Sequence, residues 1–547
     1  MNEQAKSSFS GWRSYMWPIH GYELKTIIPL FVMLFCVCFN YTILRNLKDA
    51  LVVTAKSSGA EVIPFIKVWA LLPAAIVVTI LFTTFSNHFK RRTVFYSTIT
   101  GFLFFFAIFG FLIYPHRESL HLHAFADWLE TILPAGCKGL IAMVRNWTLT
   151  CFYVIAELWG SMALTVLVWG FVNEITKIQE ASRFYSVLGI GANAAAIAGS
   201  LLSVLLSTPE EGGPLPLDAS WEQTFSRLII FVLISGGILL AAFHWIQAHV
   251  VHTSPSLLQK EKQKQAEKQK QAEKPKKLSF KESLIYIANS KYLLCIAALV
   301  VSYNLVIGLV EIIWKASLKD VYPEPGAYNT YINSVNVIQG IISTTTSLLM
   351  AGIIGRLGWT RTALLTPIIL LITATLFFVC LLTPHSIAPA FASLVGMTPI
   401  ALVIFFGSLQ NCVSKAAKYS LFDATTEMSF IPLSSEHKFK GKAAIGGIGS
   451  RLGKSGSSCI HTGLLFLFTS FTASAPYVAA ILLVVIILWI TAVISLGKQF
   501  KTYEYKAEHD EEQGTASSMQ QAEPATITIG APEATSGATQ QEIVAHA

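Results

Sequence analysis

Charge is scarce in this sequence. Asp, Glu, Lys and Arg make up 13% of its 547 residues, against roughly 25% in an ordinary soluble domain. So little polar surface cannot solvate a water-soluble globule of this length, which excludes the usual soluble classes. The formal net charge of +8 does not point to a nucleic-acid partner, because the lysines lie in loops between apolar runs, where membrane topology accounts for them. Cysteine offers no chemistry either. Cys36, Cys38, Cys137, Cys151, Cys295, Cys380, Cys412 and Cys459 include no Cys-x-x-Cys pair, and most sit inside apolar runs. With no histidine cluster at ligand spacing, neither disulfides nor a metal site is expected, and no cofactor is implied. A cleavable signal is not expected, since the first 25 residues are polar, lack an apolar core and contain Glu3 and Glu23. Nor does an Arg- and Ser-rich transit sequence precede the first apolar run.

What is abundant is hydrophobicity. Apolar residues make up 53% of the chain and cluster into about a dozen runs of roughly 20 residues, the length that crosses a bilayer as a helix. The runs do not alternate polar and apolar residues, so they read as helices rather than barrel strands. The expected fold is an all-α membrane protein of about twelve transmembrane helices in two six-helix halves. The first half places spans near 26–44, 63–85, 93–114, 147–172, 185–206 and 226–248. The second places them near 291–313, 328–353, 361–383, 389–412, 443–467 and 476–497.

Loop charge sets the expected orientation. Lys90, Arg91, Arg92, Lys177, Arg183, the 260–281 stretch, Arg356, Arg361, Lys438, Lys440 and Lys442 fall in one set of loops. The alternate set is poorer in cations, and 207–225 is acidic, with Glu210, Glu211, Asp218 and Glu222. The positive-inside rule puts the first set and both termini in the cytoplasm. The chain then divides into a cytoplasmic N-terminus at 1–25, membrane domains at 26–248 and 291–497, a basic cytoplasmic linker at 249–290 and a disordered tail at 498–547. The linker carries a six-residue repeat at 262–267 and 268–273, reads as a solvated tether and could touch anionic lipid.

The halves resemble one another weakly. Asn40 corresponds to Asn304, Glu174 to Glu427, and the Gly-Ile-Gly at 189–191 to that at 447–449. Repeated halves around a central site are a transporter architecture. The small residues of 189–199 suit close helix packing.

Ionisable groups at membrane depth are costly and mark functional sites. Four stand out: Lys48 at the close of the first span, Glu157 in the fourth, Glu311 late in the seventh and Lys454 in the eleventh. Each could also snorkel to an interface or belong to a structural ion pair. Two lysines with Arg451 nearby suit an anionic ligand such as phosphate, with Gly453, Ser455 and Gly456 permitting close approach. The Gly-Lys-Ser at 453–455 is not a phosphate loop, because position 448 is Ile where that motif needs Gly, and no strand precedes it. There is no nucleophile–base pair and no extramembrane catalytic domain, so an enzyme is not expected.

Six segments carry a resemblance: 39–56 (FNYTILRNLKDALVVTAK), 61–67 (EVIPFIK), 156–161 (AELWGS), 415–423 (KAAKYSLFD), 441–445 (GKAAI) and 452–456 (LGKSG). Together they resemble the ATP/ADP translocases of plastids and obligate intracellular bacteria, over about residues 15–500. The resemblance implies a major-facilitator-like fold, unrelated to the mitochondrial six-helix carrier. It implies counter-exchange of ATP and ADP as substrates, with phosphate co-transport open and no nucleic acid. The family's two essential lysines and two essential glutamates map onto Lys48, Lys454, Glu157 and Glu311. Asn40 and Arg451 complete the candidate substrate-binding set, with no metal and no cofactor. The chain departs from the family at Asn46-Leu47 and at 449–451, which leaves nucleotide choice open. Proton-coupled or exchange import of GTP, UTP, CTP or NAD by the same fold is the alternative. The absent transit sequence suggests a bacterial inner membrane, with ATP taken from a host.

Overall fold

In a computed structural model the described residues are 19–176, 178–207, 220–251, 285, 287–433, 441–442, 445 and 449–520. Most of the expected linker, the tail beyond 520, and Gly447 and Ile448 of the second Gly-Ile-Gly lie outside them. The long helices are α1 Leu24–Thr54, α2 Val62–His88, α3 Arg91–Ile113, α4 Trp147–Ile175, α5 Ile178–Ser207 and α6 Trp221–Val250 in the first half. The second half contains α7 Lys291–Val321, α8 Pro325–Leu357, α9 Trp359–Leu382, α10 Pro399–Ser429, α11 Ser450–Phe468 and α12 Phe471–Gln520. There is no strand among the described residues. The described residues up to Gly497 pack as one compact unit, and those from Lys498 onward form a second.

Ten of these helices are long and apolar enough to cross a membrane. The expectation of twelve spans is met by length and apolarity only that far. At the two remaining expected positions the chain is helical but polar. α11 carries Arg451, Lys454, Ser455, Ser457, Ser458, His461 and Thr462, and α8 carries Asn329, Asn333, Asn336 and Gln339. Large apolar side chains such as Ile80 and Leu81 on α2, Ile234 on α6, and Val484 and Leu488 on α12 are exposed. That outward apolar surface suits lipid rather than water. The molecule is a multi-pass membrane protein.

Several boundaries differ from expectation, for identifiable reasons. The expected tenth span, 389–412, is two helices. Ile387–Val395 ends on Gly396, whose left-handed backbone (φ 72°) stops the helix. α10 restarts three residues later, with the Thr398 hydroxyl accepting from the Ala401 amide and Pro399 in the first turn. α1 and α7 run about two to three turns past their expected ends at 44 and 313. Their charged continuations stay helical because partners within the protein satisfy them. α12 likewise continues past its expected end at 497.

Several long helices contain wide, π-type stretches: Ile66–Leu71 in α2, Phe109–Ile113 in α3, Trp159–Trp169 in α4 and Lys418–Phe422 in α10. In α4 the Thr165 hydroxyl reaches back five residues to donate to the Gly160 carbonyl, at 3.0 Å.

α1 is the hub of the first half. Trp159 of α4 donates its indole N–H to the Val37 carbonyl at 3.1 Å. Asn40, fully buried, donates to the Val232 carbonyl of α6 at 3.0 Å. Small residues set the close approaches, as the stretch at 189–199 suggested. A Cβ on Gly191 would fall 2.6 Å from the Phe31 ring, and one on Gly340 of α8 would fall 2.5 Å from Ile197 of α5. The second of these contacts joins the two halves. Gly340→Val should therefore destabilise the protein by about 1–3 kcal/mol through overpacking. The check is thermal unfolding in detergent, where Ile197→Ala should recover part of the loss in the double variant. An unchanged melting temperature in Gly340→Val would mean that this contact carries no packing.

Candidate functional site

The C-terminal third of α1 presents Arg45, Lys48 and Asp49, and the matching part of α7 presents Glu311 and Lys315. Consecutive helix positions are about 100° apart, so Lys48 and Asp49 face different neighbours. Lys48 turns into its own half. Its Nζ lies 2.9 Å from Asp49 Oδ1, 3.2 Å from Glu157 Oε2 on α4 and 3.8 Å from the centre of the Tyr153 ring. Asp49 turns to the other half, where its second oxygen accepts from Lys315 Nζ at 2.8 Å. Lys315 is also 3.2 Å from Glu311 Oε1. That same oxygen is 3.5 Å from Arg45 Nη2 and 4.0 Å from Lys415 Nζ of α10.

The result is one alternating chain of charge, from Glu157 through Lys48, Asp49 and Lys315 to Glu311. It crosses between the halves twice, at Asp49–Lys315 and at Glu311–Arg45. Lys48, Asp49 and Lys315 are buried. Buried charges persist only when paired and hydrogen-bonded. Two further lysines lie within electrostatic reach. Lys67 of α2 senses Glu311, Lys315, Lys48 and Glu157. Lys454 of α11 senses Glu157, Arg45 and Glu311. Lys454 is solvent-accessible, and its ammonium has no ion pair among the described residues. The cluster thus holds six cations (Arg45, Lys48, Lys67, Lys315, Lys415, Lys454) against three carboxylates (Asp49, Glu157, Glu311).

A neutral seam runs beside it. Asn46 donates to Asn333 Oδ1 at 2.7 Å and accepts from Asn336 Nδ2 at 2.9 Å, both on α8. Asn333 in turn donates to Asn329, which donates to Ser207 of α5 at 3.2 Å. Lys319 donates to the Ser58 carbonyl. These contacts sit at the same ends of α1, α5, α7 and α8 as the charged links.

The four charges singled out from the sequence therefore converge on one region. Glu157 is the ion-pair partner of Lys48 and lies within electrostatic reach of Lys454, so lysines from both halves act on it. The other two candidates do not join the cluster. Asn40 is used in the α1–α6 contact, and Arg451 is exposed in the first turn of α11 with no ion pair among the described residues. Gly453 and Gly456 serve helix packing rather than close approach to a ligand: a Cβ at these positions would lie 2.6 Å from Asn304 and 3.1 Å from Leu305 of α7. Sequence reading missed Arg45, Asp49, Lys67, Lys315 and Lys415 as site residues, although four of them lie in the segments that carried the resemblance and Lys315 is one helical turn from Glu311.

Helical halves joined around an unbalanced charge cluster at membrane depth define a polytopic carrier for an anionic solute. The overall arrangement is major-facilitator-like. A bacterial homologue of the iron transporter ferroportin, solved in an inward-facing state, matches with a TM-score of 0.55 at 14% identity, covering 87% of this chain and 99% of that one. A D-xylose–proton symporter matches with a TM-score of 0.52 at 12% identity, covering 87% and 97%. The chain belongs to the TLC ATP/ADP transporter family, whose model matches residues 2–500. It is 41% identical over 541 residues to ADP,ATP carrier protein 1 of Chlamydia muridarum, covering 97% of this chain and 98% of that protein. It is 40% identical over 497 residues to the chloroplastic ADP,ATP carrier protein 1 of Arabidopsis thaliana, covering 91% and 77%.

Asp49→Asn would leave Lys48 and Lys315 short of a buried counter-charge and should cost about 3–5 kcal/mol of stability. Adding Lys315→Met should restore part of it. Thermal unfolding of the single and double variants checks this, and purely additive losses would mean that the pair is not coupled.

Proposed function

We propose that this chain exchanges ATP for ADP by alternating access across a bacterial inner membrane, both termini cytoplasmic, importing host ATP and returning ADP. The observation that carries the reading is the excess of cations over carboxylates at membrane depth. A polyanion completes such a set, and its absence leaves a costly surplus of one sign. The names of the relatives supply the nucleotide.

Lys48 and Lys454 hold the phosphates from opposite halves, with Lys67, Lys315, Lys415 and Arg45 as further donors. Glu157 and Glu311 occupy the cations while the site is empty. Under the loop-charge rule α1 and α7 start in the cytoplasm, so the seam at their far ends closes the outer side. Opening it parts Asp49 from Lys315 and Glu311 from Arg45. A bound nucleotide offers phosphate oxygens in exchange for the lost carboxylates, whereas an empty carrier strands buried charges. Return without substrate is slow, and that enforces exchange. The protein acts as a carrier, not an enzyme. Its solvent is the lipid bilayer, and phosphate is the one further ion to test as a co-substrate.

Proteoliposomes loaded with or without ADP test the mechanism, at matched pH and with a proton uncoupler. ATP uptake should require internal ADP and survive the uncoupler. Undiminished uptake into empty liposomes, or its collapse with the uncoupler, would replace antiport by proton-coupled import. Equilibrium binding tests the residues. Lys454→Gln should weaken ATP binding by about 2–5 kcal/mol, while Glu157→Gln should keep binding and lose exchange. Unaltered ATP affinity in Lys454→Gln would remove that lysine from the phosphate site.

A further inference from the structure

The extramembrane loop between α3 and α4 is built rather than bare. It folds into short helices at Arg117–Leu120, His123–Ile132 and Lys138–Arg145. Arg145 ties the third to the second through Asp127 at 2.6 Å and Glu130 at 2.8 Å. Arg117 reaches Glu222 of α6 at 2.9 Å, and the Trp147 indole donates to the Leu120 carbonyl at 2.8 Å.

Where the first short helix meets the second, Glu118, His121 and His123 converge. One ligand atom from each lies within 4.8 Å of the others. The sequence hid this group, because on a continuous helix position 123 would point away from 118 and 121. The chain breaks at His121, which is extended (φ −70°, ψ 144°), and the break brings His123 back.

The imidazoles are poorly used by the protein alone. His121 is only 9% exposed, and its Nδ1 has no hydrogen-bond partner. Its other nitrogen, Nε2, is 2.8 Å from the Thr148 hydroxyl. That contact orients the ring as outer partners orient metal-ligating histidines. Both ring nitrogens of His123 are also buried without a hydrogen bond, although Nε2 lies 3.4 Å from Glu118 Oε2. Ligands held 2.0–2.1 Å from a tetrahedral ion sit about 3.3 Å apart, close to that separation. Glu118 is exposed enough to swing in and close the rest of the gap, and it opens the site to solvent.

We propose that Glu118, His121 and His123 form a binding site for a zinc-type divalent cation, with water in the fourth position. Two imidazoles and one carboxylate suit zinc, whereas magnesium and calcium take oxygen ligands. An isolated Glu118–His123 ion pair would account for the 3.4 Å distance but not for the orphaned Nδ1 of His121. A bound ion would lock the first two loop helices together. Through His121 and Thr148 it would also brace the first turn of α4, the helix that carries Tyr153 and Glu157.

The test uses the purified full chain without an affinity tag, stripped with a chelator and titrated with Zn2+ against a chromogenic competitor, with Mg2+ as control. One zinc per chain is expected. Glu118→Gln and His123→Asn should each weaken it by about tenfold or more, while His385→Asn, an exposed histidine on another loop, should not. Zn2+ should raise the melting temperature of the native chain and not of the two variants. ADP-dependent ATP uptake by stripped Glu118→Gln should match that of the stripped native chain. Zinc affinity that survives either loop substitution undiminished, or that is no tighter than Mg2+, would overturn the assignment.

Discussion

Asp49 sits between two lysines that come from different halves of the chain, and both of its oxygens are committed. In a low-dielectric interior neither ammonium can be left alone and neither can be hydrated. The halves therefore meet at this end because charge must be neutralised there, a stricter demand than apolar burial, which lipid satisfies as well as protein does. Because Lys48 and Asp49 are adjacent on one helix, the bond within the first half and the bond across the seam move together. A rotation of α1 that frees Lys315 also disturbs Lys48 against Glu157.

The neutral seam complements this. Asn46 uses a donor and an acceptor on two asparagines of α8. Amides fix register without adding net charge, so the excess of cations is left to the ligand. Lys454 is exposed and, like Lys67, has no ion pair among the described residues, and it stands on α11, which was expected as a span but is too polar to count among the ten apolar helices.

Much of this was legible in the sequence: the helical class, the general placement of the spans, and the four charges whose depth on apolar runs makes them expensive. Part of what escaped shares one cause. Ending the first span at 44 and the seventh at 313 put Arg45, Asp49 and Lys315 at supposed interfaces, where charge needs no explanation. The helices continue because each of these charges finds a partner from another helix, which one-dimensional hydropathy cannot register. Asn40 and Gly453 failed in the opposite sense. A buried amide and a glycine beside a lysine are equally good packing devices, and only the neighbours at Val232 and Asn304 reveal that use.

The wide stretches in α4 and α10 change what these helices can do. Each holds surplus chain in a turn whose hydrogen bonds span five residues rather than four. Such a dislocation can travel along a helix by exchanging carbonyl partners one at a time, so little backbone is bared to lipid at any step. As it passes, the segment swept by it turns about the helix axis by the angle of a single residue. In α4 the dislocation begins two residues beyond Glu157, and in α10 it begins three residues beyond Lys415. Both helices therefore carry a wide turn beside a charged member of the cluster, where such a passage would change the direction that charge faces.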